Sequence, residues 1–257
     1  MRYFEQDTIA LRYHQYRPQV HILVLKKFFQ LAGIKDKLND VLDVACGTGH
    51  STAPLVNYAN HVLGIDISSA MLDIARQAYP AINFQCASAE NLPCKNKQLD
   101  GIFTSMALHW FNQPAFISEV IRTLKQNGWL FTYNMVFPGI MAANPDYQKW
   151  HQQIYWSKFP NPNRHSIALN ELVKDAKELE FITHFCLELP VYFNALELRN
   201  YLTTQSNVTK ALTSGQTIEA IDQWLDNQLK PFFNKNRKQF SYLIKGEIAQ
   251  KKSHALY

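Results

Sequence analysis

The chain reads as an α/β protein with a parallel sheet, helices on both faces and a partly helical cap. Two patterns predict this. Apolar runs of strand length alternate with amphipathic helical segments from about Val41 to Asn134, as parallel strands joined by crossover helices require. The alternation then gives way to long aromatic segments that do not fit a sheet. A chain of 257 residues accommodates one such domain with insertions.

The elements follow in order. Val41-Leu42-Asp43-Val44-Ala45 is a short apolar run ending at Gly47, a buried strand, and Ser51 to Tyr58 opens a helix over it. Val62-Leu63-Gly64-Ile65 is a second buried strand, stopping at Asp66. Ser68 or Ser69 caps the next helix, whose apolar positions Met71, Leu72, Ile74, Ala75 and Ala78 recur at helical spacing until Pro80. Ile82 to Cys86 and Leu99 to Ser105 are the third and fourth strands. Pro114 to Leu124 is a helix with proline in its first turn, and Asn127-Gly128 turns the chain into a fifth strand, Trp129 to Asn134. Beyond it, helices are predicted around Tyr147 to Trp156, Ala168 to Leu179, Leu196 to Leu202 and Thr217 to Phe233. Strands are predicted at Ile182 to Phe193 and Phe240 to Ala249. We expect a single domain with a core of about 36–136, 166–193 and 237–250, and a cap from 1–35, 137–165 and 194–236.

Composition excludes several classes. No apolar run approaches the ~20 residues that span a bilayer, and Met1 to Arg12 lacks the apolar core of a signal peptide; a cytoplasmic location is expected. Cys46, Cys86, Cys94 and Cys186 are scattered, which predicts reduced, mostly buried thiols. The histidines form no metal-binding motif, so no metal is expected. Net charge is +5, and the stretch from Asp226 onward holds it: Lys230, Lys235, Arg237, Lys238, Lys245, Lys251 and Lys252 face only Asp226 and Glu247. It is read as a solvated face with a frayed end, although a basic tail can also meet nucleic acid.

The chemistry begins at Val41–Gly49. A strand feeding a Gly-x-Gly turn into a helix lets backbone N–H groups approach a ligand closely. Asp66, at the end of the second strand, sits where a carboxylate can hold a ribose diol. Dinucleotide enzymes share that feature, but their third glycine is Thr52 here. Asp43 would repel a pyrophosphate and attract an ammonium group. S-adenosylmethionine carries the ammonium and no phosphate.

These residues resemble the class I S-adenosylmethionine methyltransferases, of the group related to ubiquinone/menaquinone-biosynthesis and trans-aconitate methyltransferases. Four ordered blocks carry the resemblance: Val41–Gly49, Gly64–Ser68 with Met71, Ala87–Pro93 and Leu99–Phe111. It implies a Rossmann-like fold and S-adenosylmethionine as cofactor, with S-adenosylhomocysteine as product. It also implies that Asp43, Ala45, Gly47 and Gly49 meet the methionine portion, that Asp66 binds the ribose, and that Ile67 and Met71 flank the adenine. Ser88 replaces an acid expected near the adenine amino group, where the Ala89 backbone can still contact the ring. Ser105, at the end of the fourth strand, joins the cofactor set. Tyr13 and Arg17, in a segment like the family's Tyr-then-Arg-Pro helix, are expected to close over the cofactor; a plain surface helix is the other reading.

Methyl transfer needs alignment of the acceptor and exclusion of water, with a base only where the accepting atom carries a proton. His109 could be that base or could position the cofactor. Trp110 is read as a packing residue. Trp150, Tyr155, Trp156, Phe159, Tyr201 and Trp224 could line an acceptor pocket or form the cap's own core. Asn144-Pro145-Asp146-Tyr147 resembles a nucleic-acid methyltransferase box, but follows the wrong strand. The expected function is therefore methyl transfer to a small or medium organic acceptor, with no nucleic acid and no membrane span. The alternatives are an RNA-modifying enzyme docking through the basic stretch and a cofactor-binding protein without catalysis.

Overall fold

The computed structural model describes residues 7–162, 168–234 and 236–253. The cap and core expectations at 1–6 and 163–167, and Lys235 of the basic stretch, lie outside the described residues. The chain opens with α1 (Asp7–Tyr16), which stops two residues before Pro18, and α2 (His21–Leu31), which buries Val24, Leu25, Phe28 and Phe29. After β1 (Leu38–Val44) the expected helix is a 3-10 turn at Ala53–Asn57. Pro54 has no N–H to continue α-helical bonding, and the bonds contract to Leu55 N–H on Thr52 O and Tyr58 N–H on Leu55 O.

β2 (Ala59–Asp66), α3 (Ser69–Ala78), β3 (Asn83–Cys86), β4 (Leu99–Ser105) and α4 (Gln113–Thr123) lie where the apolar pattern puts them. Ser68 caps α3 by accepting from Met71 N–H, and Asn112 caps α4 by accepting from Ala115 N–H. β5 (Leu124–Val136) absorbs the expected Asn127-Gly128 turn as an irregularity. Asn127 has φ +61°, and the register moves from Leu99 opposite Leu124 to Gly101 opposite Trp129.

α5 (Pro145–Trp150), a π-helical turn (His151–Tyr155) and α6 (Trp156–Lys158) run on from one another. The Asn144 side chain accepts from Tyr147 N–H and Pro145 occupies the first turn, so the Asn-Pro-Asp-Tyr segment is a helix start. α7 (Leu169–Leu172) is one turn rather than a helix to Leu179. Past Val173 its bonds shorten to Lys174 N–H on Glu171 O and Ala176 N–H on Val173 O, and the chain enters β6 (Leu179–Phe193). α8 (Ala195–Leu202) begins on a capping box between Asn194 and Glu197. α9 (Ser206–Thr213) follows where the sequence predicts no helix. Its serine, asparagine and threonines are weak helix formers, and burial of Val208 with a bond from Asn207 to Phe159 O at 2.9 Å holds it. α10 (Ile218–Leu229), capped by Thr217, and β7 (Lys238–Lys251) complete the chain.

The strands form one sheet in the order β3-β2-β1-β4-β5-β7-β6. β1 pairs in parallel with both β2 and β4, β2 with β3, and β4 with β5. Successive strands therefore leave β1 in opposite directions, and ligands of such sheets bind at the carboxyl ends where the order reverses.

By compactness the chain divides into a sheet unit (19–134, 164–186, 245–257) and an aromatic unit (1–18, 135–163, 187–244). In the sheet unit Phe28 stacks on Phe131 at 4.5 Å and meets the edge of Phe103 at 5.3 Å. These contacts group α2 with the sheet rather than with the segment before Pro18. Alternate residues Ile102 and Leu130 pack with Phe116, Ile117 and Val120 of α4, so helices cover both faces. Burying a ring such as Phe28 contributes roughly 1.5–3 kcal/mol.

Within the aromatic unit, Trp150, Tyr155, Phe159 and Tyr201 are buried against one another and against Phe137, His151, Phe193 and Phe240. These four of the six rings that could have lined a pocket belong to this unit's core, whereas Trp156 and Trp224 are half-buried. The thiols depart from expectation too. Cys46 is buried and Cys94 half-buried, but Cys86 and Cys186 are exposed, because β3 and β6 are the two edge strands and present one face to solvent.

The basic stretch is less free than its charge suggests. β7 continues through Lys251, whose Nζ is buried and donates to the carbonyls of Ile121 and Leu124. Lys252 Nζ donates to Lys177 O at 2.9 Å, and Arg237 pairs with Glu197 at 2.9 Å. Lys251→Ala is expected to destabilise the fold by ~1–3 kcal/mol, since it leaves two carbonyls without their donor. Thermal melting checks this: Tm should fall by about 2–4 °C for each kcal/mol lost, and added salt should not restore it.

Candidate functional site

The candidate residues from Asp43 to His109 all lie in the sheet unit, most of them at the carboxyl ends of β1, β2, β3 and β4. Val44 pairs with Ile65 on one side and Thr104 on the other, and Asp66 pairs with Cys86. The ends of these strands are therefore level.

The turn after β1 is left-handed three times, at Ala45 (φ +56°), Gly47 (φ +55°) and Gly49 (φ +86°). Cys46 N–H donates to Ile65 O at 2.9 Å, which stitches the turn to β2. A Cβ on Gly49 would lie 2.8 Å from the Tyr79 ring, whereas one on Gly47 would meet nothing within 4 Å. Gly49 is thus required by packing as well as by conformation, and Gly47 keeps its backbone open to a ligand.

Two carboxylates organise the turn. Asp66 accepts from Gly47 N–H with one oxygen and from Ser68 N–H with the other, both at 2.9 Å. Burial pushes its pKa up and these backbone bonds pull it part of the way back. Asp43 is wholly buried. Its Oδ2 accepts from Ser51 Oγ at 2.6 Å and Thr52 Oγ1 at 2.7 Å, while Oδ1 is buried without a hydrogen-bond partner among the described residues. Burial raises its pKa to about 6, against the pull of the two hydroxyls and helped by the charge of Asp66.

The remaining candidates are placed as follows. Ile67 is 53% exposed, while Met71 is buried in α3. The Ser88 hydroxyl is engaged with the Glu90 carboxylate, whose other oxygen accepts from Asn112 N–H at 2.8 Å. Ala89 packs its side chain in the core, leaving only its backbone for a ligand. Ser105 Oγ is buried without a hydrogen-bond partner among the described residues, beside Met106, which has φ +59°. His109 sits in a 3-10 turn with its ring 4.8 Å from that of Trp110. Trp110, read as a packing residue, is 42% exposed, with its ring against that of His109. Tyr13 and Arg17 belong to the aromatic unit.

The sequence reading missed two groups here. Ser51 and Thr52 secure Asp43, yet only the absence of glycine at position 52 entered that reading. His21 Nδ1 lies 2.6 Å from the Tyr133 hydroxyl at the end of β5, with the His50 ring 6.3 Å from that of His21. A histidine directly after the glycine turn was the available signal. A separate surface groove lined by Lys37, Asp40, His61, Pro80 and Gln98 opens at the amino ends of the strands, away from the carboxylates.

Comparison with known proteins gives the following likenesses. Residues 42–132 match a family described as a methyltransferase domain. The chain is 40% identical over 90 residues to the biotin biosynthesis bifunctional protein BioHC of Cellvibrio japonicus, covering 34% of this chain and 18% of that protein. It is 24% identical over 250 residues to the probable S-adenosylmethionine-dependent methyltransferase CRG1 of Saccharomyces cerevisiae, covering 89% of this chain and 85% of that one. Among solved structures it resembles phosphoethanolamine N-methyltransferase 2 of Haemonchus contortus in complex with S-adenosylmethionine (TM-score 0.56, 14% identity, 96% of this chain and 58% of that one). It also resembles the YcgJ protein of Bacillus subtilis (TM-score 0.54, 21% identity, 91% and 99%). These last likenesses are of fold. Residues 42–132 are thus similar to a methyltransferase domain, and the likeness to the CRG1 protein runs over most of the chain.

The turn after β1 yields a paired prediction. Ala45 holds a left-handed conformation that disfavours a Cβ by ~1–2 kcal/mol, so Ala45→Gly should be neutral to stabilising by up to ~1 kcal/mol once the freer unfolded chain is counted. Gly49→Ala, four residues on, should destabilise by more than ~1 kcal/mol. Urea denaturation should leave the midpoint unchanged or raised in Ala45→Gly and lower it in Gly49→Ala.

Proposed function

We propose that this protein transfers the methyl group of S-adenosylmethionine to a small or medium organic acceptor by in-line displacement. The observation that carries the reading is the pair of buried carboxylates, Asp43 and Asp66, flanking an open glycine turn at the carboxyl ends of adjacent parallel strands. Asp43 Oδ1, a buried acceptor without a donor among the described residues, suits an ammonium group and repels a pyrophosphate. Each oxygen of Asp66 already accepts one backbone N–H and keeps a second lone pair for a ribose hydroxyl. The residues present therefore fit the cofactor.

In this reading Asp43 and the Gly47–Gly49 backbone hold the methionine end and Asp66 the ribose. Ile67 and the Ala89 backbone face the adenine, with Met71 behind and Ser88 nearby. Ser105 and His109 stand toward the methyl. Bound S-adenosylmethionine supplies an electrophilic methyl on a sulfonium, so the protein's task is alignment and exclusion of water. His109 takes a proton only where the accepting atom carries one. Within class I enzymes we place the chain near the ubiquinone/menaquinone and trans-aconitate group, on its four ordered sequence blocks, and we place it in the cytoplasm. Docking of RNA through the basic stretch has little support, since Arg237, Lys251 and Lys252 are engaged within the fold.

A screen of small organic acceptors and of RNA with methyl-labelled S-adenosylmethionine tests the activity. Label on a small molecule is expected. Label on RNA alone, or tight cofactor binding with no transfer to any acceptor, would overturn it.

The raised pKa of Asp43 adds a pH signature. An ammonium needs the ionised carboxylate, so with a pKa of about 6 the affinity for S-adenosylhomocysteine should fall about tenfold between pH 7 and pH 5. Asp43→Asn should weaken binding at pH 7 and flatten that dependence. Stability of the unliganded protein runs the other way. The folded pKa exceeds the unfolded one, so protonation of Asp43 favours the folded state as pH falls from about 6. Calorimetry and thermal melts across this range measure both.

A further inference from the structure

His151 is wholly buried in the aromatic unit, and neither of its ring nitrogens has a hydrogen-bond partner among the described residues. A neutral imidazole carries one N–H donor and one acceptor lone pair, so both are left unmatched. Packing holds the ring instead. It stacks on Tyr155 at 5.0 Å and lies against Tyr147 at 6.1 Å, and it meets Phe137 at 5.6 Å and Trp156 at 5.5 Å edge-on. Gly139, with φ +70°, approaches so closely that a Cβ there would run into the imidazole.

The same residue starts the π-helical turn. Trp156 N–H donates to His151 O, a bond across five residues that makes this turn wider than an α-helix. The flanking helices, α5 and α6, have six and three residues, too few to hold by themselves. The local helix therefore depends on the packing of His151, and that packing depends on a neutral ring.

The groups that face the ring do not accommodate its charge. From α5 and the π-helical turn they are Tyr147 and Tyr155, whose hydroxyls burial keeps protonated. The segment after β5 contributes Phe137 and the Gly139 backbone, and α6 contributes Trp156; none of these titrates. No charged group among the described residues acts on the imidazole, and burial alone lowers its pKa from the usual 6.5 to about 4. Attraction of a cationic ring to the face of Tyr155 offsets part of that cost. Yet an imidazolium here would carry two donors and no acceptor. Enclosure of the ring is thus at full strength above about pH 6.5 and weakens as pH falls toward 4.

We propose that His151 is an acid-sensitive latch: a proton taken up by its ring drives the imidazole from the aromatic cage and opens the turn between α5 and α6, while the sheet unit stays folded. The latch does not depend on the methyltransferase reading. It makes the two units answer acid with opposite sign. In the sheet unit, protonation of Asp43 favours the folded state as pH falls from about 6. Within the aromatic unit, Asp222 of α10, whose pKa burial raises, acts in that same stabilising sense, so a loss of protection there does not come from it.

Hydrogen exchange of the full chain, read by mass spectrometry and corrected for the intrinsic pH dependence of amide exchange, tests the latch. Between pH 7 and pH 5 the protection of residues 147–158 should fall about twentyfold, as a ring of pKa 6.5 when open and about 4 when enclosed requires. Protection of β1 and β2 should hold or rise. His151→Phe keeps an apolar ring in the cage and takes up no proton, so the fall should vanish. His151→Met, whose flexible side chain fills irregular space, serves if the phenylalanine variant does not fold. An equal fall in both units, or none in residues 147–158, overturns the latch in the wild type alone. A fall in His151→Phe or His151→Met as large as in the wild type assigns the effect to another group and refutes it.

Discussion

Asp66 spans two backbone N–H groups that belong to different elements, Gly47 in the turn after β1 and Ser68 at the cap of α3. Charge-assisted bonds of this kind are worth roughly 1.5–3 kcal/mol each, and here they fix a turn that must be left-handed at three positions. The open face of Gly47, the close approach of Gly49 to Tyr79 and the bond from Cys46 to β2 all follow from that fixed path. Yet burial outweighs these bonds, since the carboxyl group's pKa is still raised. The clamp is therefore held in tension, and donors arriving from a ligand would relieve it.

Asp43 is under the same tension more strongly. Ser51 and Thr52 satisfy one of its oxygens, the other has no donor among the described residues, and the charge of Asp66 adds to the strain. Two acids brought to one edge of a sheet make that edge hostile to phosphate and receptive to a cation. The selectivity argued for the site comes from this electrostatic setting as much as from its shape.

The sheet was legible because its strands are apolar runs bounded by Asp66, Pro80, Gly47 and Asn127, signals that act within a few residues. Asp43 and Asp66 end up level because parallel pairing of β1 with β2 leaves little choice once both strands are found. Features that depend on distant partners were not legible. Helical periodicity after Ser51 is real, but Pro54 and the engagement of two hydroxyls by Asp43 turn that segment into a 3-10 turn. α9 has poor helical composition and is held by a bond to Phe159. Lys251 looks like a tail charge in sequence and is a buried donor to the carbonyls of Ile121 and Leu124.

The central claim is that the turn between Val44 and Gly49 and the two carboxylates beside it are built for S-adenosylmethionine and not for a dinucleotide. The most direct measurement titrates S-adenosylhomocysteine and NAD separately into the same preparation at pH 7, with wild type and Asp66→Asn compared side by side. The account predicts saturable binding of S-adenosylhomocysteine, weakened about ten- to hundredfold in the variant, and no heat from NAD. Saturable binding of NAD without a response to S-adenosylhomocysteine, or equal affinity for S-adenosylhomocysteine in a well-folded Asp66→Asn, would contradict it.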